Sequence, residues 1–173
     1  METFEILTDR IRVTDPCYTK DTWCSGVLEN CLSGKWLVEK VVSNEGMGDR
    51  VAEICIWHKN YIGDVDANEE TDIDVGVDSG QAGFFDDSLY PEGETGEYGE
   101  LDTFYGKICE GTLNDNYVGI SNVGFGVATS SGYGDGGYDC FIGRNEEGQI
   151  VAAKIVFIGE EDEEDDYDWD EEE

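Results

Sequence analysis

Two glycine-bearing stretches carry the side chains from which a site would be built. VDSGQAGFFDD (77–87) presents Asp78, Ser79, Gln81 and Asp86, and SSGYGDGGYDCF (130–141) presents Ser131, Asp135 and Asp139. Carboxylates together with backbone carbonyl oxygens are the ligands of hard divalent cations. Asp78, Asp86 and Asp135, joined by Asp15 of DPCY (15–18), would suit Ca²⁺ or Mg²⁺ if both stretches reached one end of a sheet. The same residue types also cap turns, because Asp and Ser bond their own backbone and Gly132, Gly134, Gly136 and Gly137 let the chain bend sharply. A sheet corner and a polar or metal site are both readings of these residues, and the corner asks for less. A phosphate cradle fits poorly. The glycine spacing matches neither G-x-x-x-x-G-K-[ST] nor G-x-G-x-x-G, and Asp135 and Asp139 would repel the anion.

Other chemistries find fewer residues. DVDANEETDIDV (64–75) puts Asp64, Asp66 and Asn68 at positions 1, 3 and 5 of an EF-hand loop, but Glu69 stands where glycine is required and Val75 where the bidentate glutamate belongs. A catalytic triad would have to use His58, the one histidine, which closes the strand-like run RVAEICIWH, so no catalytic residue is assigned. The cysteines at 17, 24, 31, 55, 109 and 140 lack the C-x2-C pairs of a zinc knuckle and read as free, mostly buried thiols. METFEILTDR (1–10) has neither the basic start nor the apolar segment of a secretion signal, so a cytoplasmic protein with reduced thiols is expected. No apolar run approaches the roughly 20 residues of a membrane span.

Charge narrows the partners. The 173 residues hold 42 acids against 10 bases, a net charge of −32, and the stretch from Glu160 to Glu173 contributes 12 of those acids and no base. The remainder still carries 30 acids against 10 bases, so acidity belongs to the globular part as well. Nucleic acid and anionic membranes are repelled by such a surface, and a basic protein is attracted.

The elements that must position these residues are strands. TFEIL (3–7), RIRVT (10–14), KWLVEKVVS (35–43), RVAEICIWHK (50–59), DIDVGVD (72–78), FYGKICEGTL (104–113), YVGISNVGFGVATSS (117–131), YDCFIGRN (138–145) and QIVAAKIVFI (149–158) are rich in β-branched and aromatic residues at a short period. The spacing predicts hairpins across NEGMGD (44–49) and NEEG (145–148). The least strand-like stretch, near 19–31, is the place for a short helix, and PEGETGEYGELD (91–102) reads as an exposed loop. The fold class expected is all-β: a single antiparallel β-sandwich or partly open barrel over residues 1–159, followed by an acidic tail over 160–173.

The blocks DPCY, GKWLVEKVV, RVAEICIW, VDSGQAGFFD, SSGYGDGGYDCFIGRN and GQIVAAKIVFI, in this order over about residues 10–158, resemble a bacterial family of unknown function, numbered four-two-four-one in the domain-of-unknown-function series. The chain departs from that pattern at Tyr133 and in its acidic linker and tail. The resemblance implies a shared all-β centre and brings no activity with it. Two functions follow from the residues themselves. One is a non-enzymatic acidic interaction protein, in its sharpest form an inhibitor that binds a basic, nucleic-acid-binding protein by imitating phosphate charge. The other is a metal-assisted enzyme or small-ligand binder working through loops 77–87 and 130–139.

Overall fold

A computed structural model describes residues 2–16, 18, 26–43, 50–62, 64–77, 81–91, 103–112, 119–130 and 136–157. Eleven strands among them form two antiparallel sheets. They are β1 (Glu2–Ile6), β2 (Ile11–Thr14), β3 (Gly26–Leu28), β4 (Gly34–Ser43), β5 (Arg50–His58), β6 (Glu69–Val77), β7 (Gln81–Asp86), β8 (Ser121–Asn122), β9 (Gly126–Ser130), β10 (Gly136–Arg144) and β11 (Ile150–Val156), with one helix, α1 (Phe104–Thr112). The six-stranded sheet runs β1-β4-β5-β11-β10-β6 and the five-stranded sheet β3-β2-β7-β9-β8. They stack as an open sandwich.

Alternation along the strands explains the stacking. In β4, Trp36 and Val38 are buried while Lys35 and Glu39 are exposed, and Ile54 and Ile56 of β5 continue the inner face. From the other sheet, Val13, Phe84 and Val127 meet them in one core. β7 is buried at all six positions because both of its faces are covered. Phe84 points into the sandwich, whereas Phe85 points outward into a second cluster with Tyr90, Phe104, Ile108 and Phe125, under α1. Phe104 stacks on Phe125 at 6.0 Å and meets Tyr90 edge-on at 5.1 Å.

Two adjacent ladders cross between the sheets at one place. Val77 at the end of β6 pairs with Gly136 at the start of β10 in the six-stranded sheet, while Gln81 at the start of β7 pairs with Ser130 at the end of β9 in the other. The stretch SSGYGDGGYDCF therefore bridges the two sheets, as does the beginning of VDSGQAGFFDD. Sandwich corners are made where strands change sheets in this way.

Several local expectations change. FYGKICEGT is a helix rather than a strand: the Thr103 hydroxyl accepts from the Gly106 N–H at 3.1 Å, the Thr103 carbonyl accepts from the Lys107 N–H at 3.0 Å, and Phe104 and Ile108, one turn apart, pack on the outer aromatic cluster. No helix occupies the described part of 19–31. Residues 26–28 are β3, whose Val27 and Leu28 pair with Arg12 and Ile11; the expectation for 19–25 lies outside the described residues. QAGFFD forms a central strand rather than a loop. The long run 117–131 is interrupted between β8 and β9, where the Asn122 side chain accepts from the Gly124 N–H at 2.9 Å and Gly124 takes φ 94°. The hairpin between β4 and β5 forms as expected, and NEEG turns β10 into β11 with Gly148 at φ 85°. The turn 44–49, loop residues 92–102 and the acidic tail lie outside the described residues.

β9 can lie under the outer aromatic cluster only because Gly126, opposite Phe85, has no side chain: a Cβ there would stand 2.3 Å from Phe85 Cδ1 and 2.6 Å from the Phe84 carbonyl oxygen. Gly126→Ala is expected to destabilise the protein by about 1–3 kcal/mol through overpacking. Equilibrium urea unfolding checks it; an unchanged midpoint would show that β9 moves aside freely.

Candidate functional site

The corner is where the two predicted stretches come together. Gln81 is buried at its edge, and Asp15 directly follows Thr14, which pairs with Gly83, so Asp15 lies toward the same end of β7. Asp15 is fully buried, and its carbonyl oxygen accepts from the Tyr18 N–H at 3.0 Å. Asp78, Ser79, Ser131 and Asp135 lie outside the described residues, between ladder ends that the register sets side by side. Asp139 is exposed in β10, opposite Val156.

Asp86 does not join them. It ends β7, five extended residues from Gln81, or about 17 Å away at strand rise. Its carboxylate is fully buried and engaged by protein donors. Oδ1 accepts from the Ser88 N–H at 2.9 Å, the Ser88 hydroxyl at 2.7 Å and the Thr8 hydroxyl at 3.1 Å; Oδ2 accepts from the backbone N–H groups of Leu7 and Thr8. The side chain thereby ties the turn between β1 and β2 to the end of β7. Burial by itself raises the Asp86 pKa, but the bonds from the Ser88 hydroxyl, the Leu7 and Ser88 amides and the Thr8 hydroxyl outweigh it and leave the group below its ordinary value. The neighbouring Asp87 pairs with Arg12 Nε at 2.7 Å, and that guanidinium lies 5.7 Å from the Tyr90 ring centroid. The FFDD run thus closes one end of the sandwich.

His58 is likewise a structural group. Its Nε2 lies 2.9 Å from the Ser33 carbonyl oxygen and its Nδ1 accepts from the Asn60 N–H at 3.2 Å, an arrangement satisfied by the neutral ring protonated at Nε2. Burial lowers its pKa, in agreement with that neutral state. The sequence suggested a surface residue; at 4% exposure, edge-on to Trp36 at 5.9 Å, it belongs to the interior. DVDANEETDIDV holds no EF-hand loop, since its second half is strand β6. Among the described residues, no three His, Cys, Asp or Glu side chains gather as a metal would require.

A groove of about 370 Å³ remains where edge strands β3 and β6 leave the sandwich open. Leu28, Ile142 and Ile150, all core residues, line it together with Ile73, Thr71 and Glu69, while Glu70, opposite Phe141 in the ladder, belongs to the outer face of β6. Arg144 enters it with Nε 3.2 Å from Glu69 Oε1, while its Nη1 donates to the Gly148 carbonyl oxygen at 3.0 Å. Sequence reasoning passed over these residues because 64–75 was weighed as a metal loop and 72–78 as a strand with no neighbour to place beside it. The period-two placing of Thr71, Ile73 and Val75 between acids was the available signal for an acidic edge strand.

The architecture defines an open antiparallel sandwich with a two-ladder corner and an acidic edge groove. The family described as "Protein of unknown function (DUF4241)" matches residues 4–155, and the chain belongs to it. Neither a curated protein nor a solved structure matches the chain at a significant level.

Asp86→Asn replaces one acceptor oxygen by a donor facing other donors and is expected to cost about 2–4 kcal/mol at neutral pH. Because the folded carboxyl sits below its unfolded value, its stabilisation is complete above about pH 3.8 and fades as pH falls through the lower folded value. Urea midpoints measured across acidic pH should therefore fall less steeply in the variant, and parallel profiles would exclude this role. Cys31, Cys55 and Cys140 are free and buried, and burial pushes each thiol up to about 12. Iodoacetamide at pH 8 should leave these three unlabelled in native protein and label them in urea, as read by peptide mass spectrometry. Native labelling of Cys140 would contradict the packing of β10.

Proposed function

We propose that the protein is a non-enzymatic acidic interaction protein, an inhibitor that binds a basic, nucleic-acid-binding partner by presenting carboxylates where that partner expects phosphates. The observation that carries this reading is the charge of the body itself, 30 acids against 10 bases outside residues 160–173. The fold supports it by distributing acids over exposed strand positions: Glu39 of β4, Glu70 of β6 and Asp139 of β10 are all exposed. Several bases are meanwhile engaged within the protein, Arg10 with Glu29 and Asp87, Arg12 with Asp87 and Arg144 with Glu69. A dense field of one sign speeds encounter with a cation-rich partner and repels nucleic acid. Free, buried thiols suit the reducing cytoplasm, where we place the protein. Among the described residues no helix is long and apolar enough to cross a membrane.

A second reading rests on the corner. The register Val77–Gly136 and Gln81–Ser130 brings both Asp- and Gly-bearing stretches alongside one another, which would serve a small polar ligand or Ca²⁺ or Mg²⁺ held by Asp78 and Asp135.

Pull-down from cell extract at low salt and at about 0.5 M salt, using the full chain and a form ending at Gly159, separates the readings. A basic protein captured by both forms at low salt and released at high salt is the expected outcome. Capture of no such protein by either form would overturn the interaction reading.

A further inference from the structure

We propose that His58 is a proton-operated latch, holding the connection from β5 to β6 down on the outer face of the six-stranded sheet and releasing it in acid. The inference goes beyond the interaction reading and does not depend on it. In the order β5-β11-β10-β6, the chain that leaves β5 must pass over β11 and β10 before it enters β6. Three strand spacings are about 14 Å, whereas the residues from Lys59 to Asn68 could reach about 33 Å if extended. The connection therefore has slack, and it can lift while both strands keep their ladders.

The face beneath is shaped for such a strap. Trp57, Ala152 and Gly143 lie opposite one another across β5, β11 and β10, and each alternates with a core residue, Ile56, Ala153 or Ile142, so this row faces away from the core. Ala152 and Gly143 are nevertheless buried. The connection lies on them: a Cβ on Gly143 would stand 2.5 Å from the Asp66 carbonyl oxygen and 2.6 Å from Val65 Cγ1. Beside them, Trp57 Nε1 donates to the Val65 carbonyl oxygen at 3.2 Å.

His58 stands at the root of the strap. Its Nδ1 accepts from the Asn60 N–H and caps the 3₁₀ turn Lys59–Tyr61, while Nε2–H is spent on the Ser33 carbonyl oxygen. A proton on Nδ1 would turn that acceptor into a donor facing a donor and would place a charge at a site 4% exposed. Gly34 and Trp36 of β4 and Tyr61 of the turn surround the ring. Among the described residues the charge acting on it is that of Lys59, which opposes protonation. Lys35 lies opposite Glu5 on the far face of β4, and Glu146 and Glu147 of the β10–β11 turn are exposed; that turn meets the strap through Asn145, whose amide donates to the Tyr61 hydroxyl at 3.3 Å. The ladder fixes the β4 side of the ring, and no residue of the 3₁₀ turn is buried, so the turn is the side that yields. The closed strap requires the neutral ring. It is fully held above the ordinary histidine value of 6.5 and loosens as pH falls below it.

The test follows the full-length protein by NMR at about pH 7.0 and about pH 5.5, a range in which ordinary carboxylates stay ionised. His58 is the one histidine, so its ring signal reports its own titration. Hydrogen exchange is read at the Asn60 and Asp64 amides and at the Trp57 indole, corrected for the intrinsic dependence of exchange on pH. Their protection should fall at least about threefold between the two conditions, while that of Ile54 and Ile56 in β5 changes less than about 1.5-fold. His58→Asn keeps a side-chain oxygen that accepts from the Asn60 N–H but cannot titrate, so its strap protection should be the same at both pH values. Unchanged strap protection in the wild-type protein overturns the latch, whether or not the ring titrates. An equal acid-dependent loss in His58→Asn, or an equal loss in β5, overturns it too. Should the variant fail to fold, the wild-type comparison of strap with β5 decides alone.

Discussion

The paired crossing between the sheets is the constraint on which the rest of the structure depends. Stacked sheets stand about 10 Å apart, and an extended residue advances about 3.3 Å. Between Val77 and Gln81 the chain has three residues in which to change sheets, and between Ser130 and Gly136 it has five. Because β6 pairs with β10 and β7 with β9, the two crossings are neighbours, and the register on one side limits the register on the other. The crossing also places β7 in the middle of the five-stranded sheet, where Phe84 and Phe85 fill two separate cores.

At the other end of β7 the molecule is closed by polar groups rather than apolar ones. Asp86 gathers donors from the β1–β2 turn and from Ser88, and Asp87 holds Arg12 beside Tyr90. Buried charge is tolerated there because donors or an opposite charge meet it; without them it would oppose folding. His58 follows the same rule in its neutral form, with both nitrogens occupied. In all three residues, groups that look catalytic in a list of residues are consumed in holding strands and turns together.

The third side, between β3 and β6, is open, and the acids Glu29 and Glu69 at this edge are paired with Arg10 and Arg144. A chain at −32 pays for solubility with self-repulsion, and edge positions are where carboxylates repel one another least while still guarding an unpaired strand.

Much of the architecture was legible in the residues. Alternation in KWLVEKVVS and RVAEICIWH made a hairpin of 34–58, and the NEEG turn needed a residue with positive φ, whereas the turn residues 131–135 of SSGYGDGGYDCF lie outside the described residues. Local pattern failed where tertiary packing set the outcome. FYGKICEGT alternates like a strand, yet it is helical because Thr103 caps it and because Phe85, Tyr90 and Phe125 offer a surface for Phe104 and Ile108. QAGFFD looked like part of a loop site, yet it is a strand covered on both faces, and its last residue faces away from the corner that Asp86 was expected to complete. The edge groove was invisible for the same reason: Leu28 and Ile142 are far apart in the chain, and only the meeting of two sheet edges puts them around one space. The sequence by itself determined the all-β class, the family, the net charge and the NEEG turn, because these depend on composition and short-range period. Tertiary structure decided which acids are consumed and which are presented, because that depends on what long-range pairing places opposite each carboxylate.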